Sequence, residues 1–134
     1  MSVLHLEIVC PDGELFSGEA KSILVTTDSG EMQILRGHAD LVATLSTGRA
    51  KLTLPDGTER LASASGGFII VKDGEAKVVA TTFEFSDTID LERAKRAKDA
   101  AEQQIKDAKD KRELNVAKSK LKRALTRISV RIGK

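Results

Sequence analysis

Arg123 and Arg127, four residues apart, are the side chains in this sequence best suited to hold a phosphate ligand. Helix positions four apart project from one face, so two guanidinium groups at that spacing can bracket a polyphosphate through charge-assisted hydrogen bonds. Asp90 and Arg93, three apart where a helix is expected to begin, place an acceptor and a donor on one side. Structural alternatives stay open: Asp90 can cap the helix, Arg93 can pair with it, and the two arginines can form a solvated stripe.

The sequence contains no recognisable catalytic constellation, and we predict a non-catalytic protein. The phosphate-loop pattern G-x-x-x-x-G-K-[ST] is absent, so a phosphate ligand, if one binds, is expected to act as a signal and not as a substrate. His5, His38 and Cys10 do not have metal-ligand spacing, so no metal is expected. The sequence shows no signal peptide and no long apolar run, which predicts a soluble chain that meets a membrane only through a complex.

Positive charge is concentrated at the C-terminal end of the chain. Residues 109–134 contain ten basic and two acidic residues, a net charge of +8, whereas residues 1–108 carry a net charge of −6. Such a segment fits an acidic partner, such as nucleotide phosphate, nucleic acid, anionic lipid or an acidic protein surface. The tail has no aromatic residue on which bases could stack, so an acidic protein surface is preferred and a basic helical nucleic-acid-binding module is the alternative.

The amino-acid pattern changes at about Phe85. Before it, short alternating apolar and polar runs are separated by turn signals such as Pro55-Asp56-Gly57, which predicts eight to ten short strands. After it, the chain has no proline or aromatic residue and is dense in alanine and charged side chains, which favours helix. We predict an α+β fold, with an antiparallel β-sandwich or flattened barrel at residues 1–86 and a two-helix antiparallel hairpin at residues 87–134.

Two apolar stripes with helical period support the hairpin. Their members are Leu91, Ala94, Ala97, Ala101, Ile105 and Ala108, then Leu114, Ala117, Leu121, Leu125, Ile128 and Ile132. Neither glycine nor proline marks a break in residues 107–112, so one continuous helix is the alternative. An alanine in place of leucine forgoes roughly 2 kcal/mol of burial, at about 0.8 kcal/mol per methylene, so a weakly docked and movable hairpin is expected.

Four segments of the chain resemble the ε subunit family of F-type ATP synthases. Residues 30–41 (GEMQILRGHADL) and 65–68 (SGGF) are similar to the front domain of that family. Residues 89–94 (IDLERA) match the Ile/Leu-Asp-x-x-Arg-Ala signature of its ATP-binding bacterial members, and residues 121–130 (LKRALTRISV) resemble its second helix. The similarity runs in order along essentially the whole chain.

The resemblance implies a part of the rotor. In this family the β-sandwich grips the γ subunit and rests on the membrane ring of c subunits, while the hairpin either folds onto the sandwich or extends into the catalytic α/β head. The extended form inhibits ATP hydrolysis, and bound ATP favours the folded form in some bacteria. The chain is accordingly expected at the cytoplasmic face of the cell membrane, as a peripheral part of the ATP synthase.

The resemblance also implies a regulatory ATP site. Carried over residue by residue, the family's site places adenine and ribose beside Glu84, Ile89 and Asp90, and phosphate beside Arg93, Arg123 and Arg127. Where ATP-binding relatives carry a further arginine in the first helix, this chain has Ala100, and Arg96 or Lys98 is the candidate replacement.

The loops that face the c-ring in the family map onto the neighbourhoods of Glu31 and His38. The sequence departs from the family there, because Gln33 stands where glycine is common and Asp40 where proline is common. These departures concern the detail of the ring contact and leave the expected fold unchanged.

Overall fold

The structure, a computed structural model, describes residues 3–133. Met1, Ser2 and the basic Lys134, which are included in the predicted domains, lie outside the described residues. The described part has the elements β1 (Leu4–Cys10), β2 (Gly13–Ala20), β3 (Ser22–Thr27), β4 (Gly30–Leu35), β5 (Leu41–Thr44), β6 (Gly48–Thr53), β7 (Glu59–Lys72), β8 (Glu75–Phe85), a 3₁₀ turn (Ser86–Thr88), α1 (Leu91–Asp107) and α2 (Lys111–Arg131). The predicted class, a β-sandwich followed by two helices, is confirmed.

The strands pair in the order β2-β1-β8-β7-β6-β3-β4, and β5 pairs with β7 outside this path. β1 and β8 run parallel, and the other strand pairs are antiparallel. Because strand side chains alternate between two faces, every second residue enters the core. The largest side chains with no exposed surface include Leu6, Ile8, Ile23, Leu52, Ile69 and Val78.

Strand β7 contains two glycines near its centre, and the apolar runs on either side of them belong to one strand. Its first half pairs with β6 and its second half pairs with β5. Between the halves, Gly66 and Gly67 have φ angles of 73° and 93°, values that residues with a side chain rarely adopt. A Cβ atom at Gly67 would also overlap the carbonyl oxygen of Val79 on β8.

Asp110 and Glu113 set the turn between the helices. α1 ends at Asp107 and α2 begins at Lys111, so the hairpin is confirmed and the single continuous helix is wrong. Asp110 Oδ1 accepts a hydrogen bond from the backbone N–H of Glu113 at 2.8 Å, and Glu113 Oε2 accepts one from the N–H of Lys109 at 2.9 Å. This reciprocal capping satisfies donors that lack a partner within the helix. The Asp-x-x-Glu spacing, and not a glycine or proline, marks the break.

The hairpin lies on the sandwich through α2, which contacts β6, β7 and the 3₁₀ turn, while α1 packs along α2. The buried helical side chains are small ones: Ala94, Ala101, Ala117, Ala124 and Val130. The predicted stripe of α2 is therefore partly wrong, because Leu125 and Ile132 are 45% and 54% exposed. Close packing on alanine turns these larger residues towards solvent.

The close approach of Gly67 to β8 can be tested with a matched pair of substitutions. We expect Gly57→Ala, at φ 91° with no atom within 4 Å of the new Cβ, to lower the free energy of unfolding by about 1 kcal/mol from backbone strain alone. Gly67→Ala has nearly the same φ, 93°, but adds the overlap with Val79, and we expect a loss of at least about 3 kcal/mol. Urea unfolding followed by circular dichroism measures both, and equal losses would contradict the steric argument.

Candidate functional site

A cavity of about 340 Å³ lies where the hairpin meets the sandwich. Its floor is formed by β7 and β8, and its walls by α1 and α2. The wall from α1 is uncharged, since it consists of three alanines and Gln104. The cavity brings together three of the six residues that the family resemblance assigned to ATP: Glu84, Arg123 and Arg127.

The register of β7 and β8 produces the polar floor. Ser63 pairs directly with Glu84, and Ser65 pairs with Thr82, in the antiparallel ladder. Residues two apart on a strand share a face, so all four side chains project from the same side of the sheet towards the helices. Three hydroxyl groups and one carboxylate thereby line the floor, where the Ser65 hydroxyl lies 2.9 Å from Thr47 Oγ1 and the carboxylate contacts Arg127.

Arg127 joins α2 to the floor through Glu84. Its Nη2 donates a hydrogen bond to Glu84 Oε2 at 3.2 Å, and its Nε lies 2.8 Å from Oε1. The Nε–H is buried but not directed at an acceptor, so Nη2 carries the hydrogen bond and Nε contributes by charge. The side chains of Arg127 and Glu84 keep 21% and 36% of their surface exposed. Solvent therefore screens this pair, and it ties the hairpin down only moderately.

The cavity as a whole is positive. Lys120, Arg123 and Arg127 lie on one face of α2, and with Glu84 they give the lining a formal charge of +2. Among residues 3–133, the side chains of Lys120 and Arg123 have no ion pair or hydrogen bond with the protein. Two uncommitted cations beside a row of hydroxyl groups are suited to an anion that carries several oxygens.

Ile89, Asp90 and Arg93 lie at the beginning of α1 and do not line the cavity. Asp90 is the N-cap, and its Oδ1 accepts a hydrogen bond from the backbone N–H of Arg93 at 3.0 Å. Ile89 is buried, and its carbonyl oxygen accepts a hydrogen bond from Arg131 Nε at 3.2 Å. Arg93 stands one turn before Ala97, on the same side of α1 as the cavity wall. Their roles towards ATP stay predictions.

Neither candidate for the missing arginine of α1 lines the cavity. Ala100 does line it, whereas Lys98 pairs with Glu102 at 3.7 Å and Arg96 is exposed elsewhere on the helix. The residue that sequence reasoning missed is Lys120, which could have been found from the spacing Lys120-x-x-Arg123-x-x-x-Arg127. The floor hydroxyl groups had no comparable signal, because only strand register brings them together.

Glu31 and His38 lie at opposite ends of β4 and do not form one site. Glu31 stands near the beginning of this strand and accepts two hydrogen bonds from Arg49 on β6, with Nη2–Oε1 at 3.1 Å. The Arg49 guanidinium, through that hydrogen bond first, lowers the pKa of the Glu31 carboxyl. His38 follows the strand, and its Nδ1 lies 2.8 Å from the carbonyl oxygen of Ala39. Both residues stay predictions for a c-ring contact.

Two family profiles cover almost the whole chain. The ATP synthase delta/epsilon chain β-sandwich domain matches residues 3–86, and the long α-helix domain of the same chain matches residues 87–131. The chain belongs to the ATP synthase delta/epsilon chain family. Its cavity therefore lies where the two matched regions of a delta/epsilon chain meet.

Curated relatives in this family are bacterial ATP synthase epsilon chains. The chain is 36% identical over 132 residues to that of an Exiguobacterium species, covering 98% of this chain and 97% of the relative. It is 38% identical over 131 residues to that of Ruminococcus albus, covering 97% of each chain. The similarity therefore extends across both the sandwich and the hairpin.

Solved structures show the same fold. A chain of the Euglena gracilis mitochondrial ATP synthase, solved as an OSCP/F1/c-ring assembly, matches with a TM-score of 0.77 and 24% identity, over 87% of this chain and 74% of that one. A chain from the central stalk/c-ring of the Tetrahymena thermophila enzyme matches with a TM-score of 0.71 and 14% identity, over 95% of both. Neither helix within residues 3–133 is long and apolar enough to cross a membrane.

The pairing of Glu31 predicts how its carboxyl titrates. A pKa lowered by folding contributes stability that is present above the unfolded pKa and is lost as pH falls through the folded pKa. We expect Arg49→Gln to raise the pKa of Glu31 towards its ordinary value, as followed by carboxyl NMR. Lys51→Gln is the control, because Lys51 is the weakest of the causes that lower this pKa. An equal shift in both variants would contradict the dominance of Arg49.

The Glu84–Arg127 contact can be measured with a double-mutant cycle. We expect Glu84→Gln, Arg127→Gln and the double variant to give a coupling energy of about 1 kcal/mol, reduced by the partial exposure of both side chains. The exposed pair Lys98–Glu102 on α1 is the matched control, with a coupling of about 0.3 kcal/mol. Thermal and urea unfolding supply the energies. A coupling no larger than the control would mean that the contact does not hold the hairpin.

Proposed function

We propose that this chain is the ε subunit in the central stalk of a bacterial F-type ATP synthase, where it takes no part in the chemistry itself. Its sandwich docks on the γ subunit and the c-ring, so the chain meets the cytoplasmic face of the membrane only through the complex. Support comes from relatives named ATP synthase epsilon chain that match over both parts of the molecule. The family match favours this function over the nucleic-acid alternative for the basic helix.

The observation that supports a regulatory role is the small size of the side chains that the hairpin buries fully. Its buried side chains are four alanines and one valine, which remove little apolar surface from water. The described polar contacts that fasten it include Arg127–Glu84 and a hydrogen bond from Ser86 Oγ to the carbonyl oxygen of Val130 at 3.1 Å. A helical hairpin with so few buried contacts is expected to detach from its domain at a small free-energy cost.

ATP would act by bridging the two parts. The cavity has cations on α2 and hydroxyl groups on the sandwich, so a ligand that contacts both stabilises the folded hairpin. Ligand at ten times its dissociation constant would add about 1.4 kcal/mol, and at a hundred times about 2.7 kcal/mol. Such amounts shift an equilibrium whose two states lie within a few kcal/mol.

The extended hairpin would act through its charge. Released from the sandwich, α2 presents a basic surface together with exposed Val116 and Leu125, which suits an acidic surface of the α/β head. Held there, the helix resists rotation in the direction of hydrolysis. The same subunit thus permits turnover in one pose and hinders it in the other.

A reconstituted complex tests this function. We expect a variant that ends at residue 86 to assemble with α, β and γ, because the sandwich provides the docking surface, and we expect ATP hydrolysis to rise several-fold. Phosphate release measures the rate, and complex with the full chain is the reference. Unchanged hydrolysis would refute the regulatory role, whereas loss of assembly would refute docking through the sandwich.

A further inference from the structure

Lys120 has no function in the assignments made so far, yet it lines the cavity beside Arg123. The lysine stands three residues before Arg123 and seven before Arg127, which places all three on one face of α2. At 1.5 Å of rise per residue, its Cα lies about 4.5 Å beyond Arg123 and about 10 Å beyond Arg127 along the helix axis. The three cations therefore form a row that begins at the Glu84 contact and ends at Lys120.

The opposite wall of the cavity, formed by α1, has no charged side chain. α1 contributes only Ala97, Ala100, Ala101 and Gln104, and its nearby Lys98 is engaged with Glu102. An anion in the cavity consequently finds positive charge on one side only. Lys120 supplies the positive charge at the end of the cavity that lies away from Glu84. Its ammonium group has no protein partner among the described residues.

We propose that Lys120 binds the terminal phosphate of the nucleotide and makes the site prefer a triphosphate to a diphosphate. The inference rests on the proposed function, in which Glu84 lies on the base and ribose side and Arg123 on the phosphate side. A phosphate chain that passes Arg123 away from Glu84 arrives at Lys120. The lysine supplies from α2 the charge that Ala100 does not supply from α1.

Calorimetric titration of the full chain with ATP and with ADP tests this assignment. We expect Lys120→Gln to weaken ATP binding by about tenfold, the loss of one hydrogen bond to a charged group, and to change ADP binding by less than about twofold. Lys118→Gln is the matched control, because Lys118 is an exposed lysine of the same helix that lines a different groove. Adding Ala100→Arg to Lys120→Gln should restore ATP binding from the opposite wall.

The titrations distinguish failure of this inference from failure of the proposed function. A wild-type chain that binds neither nucleotide would overturn the nucleotide part of the proposed function and this inference with it. Binding by the wild type with Lys120→Gln equal to Lys118→Gln would overturn this inference alone. Equal weakening of ATP and ADP would overturn the terminal-phosphate assignment. Because Lys120 is exposed, an unchanged melting temperature without ligand shows that the variant is folded.

Discussion

The contact between α2 and the sheet is the constraint on which the rest of this structure depends. Among the described residues, the ion pair that joins α2 to a strand is Arg127–Glu84, and it lies at the edge of a seam made of alanine. Neither component is strong, because the pair is partly exposed and alanine buries little surface. The side chains that α2 buries fully are thus small, and its ion pair with the sheet is partly exposed.

The cavity and the weak attachment have the same cause. Small side chains at Ala97, Ala100 and Ala101 leave space above the serine and threonine hydroxyl groups of the floor. Larger apolar residues there would fill that space and fasten the hairpin, but they would also remove the room for a ligand. A ligand in this cavity would add stability to the folded hairpin, and the proposed link between nucleotide and conformation rests on that effect.

The N-terminal and C-terminal parts of the chain carry opposite net charges. The net charge of +8 in residues 109–134 is concentrated in the second helix, while residues 1–108 carry a net charge of −6 that comes from the part before α1. Folded, α2 directs three of its cations into the cavity and leaves Val116 and Leu125 in solvent. Under the proposed function, this helix would bind a small anion when folded and an acidic protein surface when extended.

The sequence by itself determined the α+β class, two helical apolar stripes and the cationic pair Arg123 and Arg127, because alternation, helical period and residue spacing are local properties. The sequence left the break between the two helices open, and the structure places it at residues 108–110. Only the tertiary structure decided that Glu84 meets Arg127, that Ser63 and Thr82 share the floor, and that the face of α2 with Lys120 lines the cavity. It also turned Leu125 outward and placed Arg93 outside the cavity lining. These outcomes depend on strand register and on how α2 rotates against the sheet, which are set by packing between residues far apart in the chain.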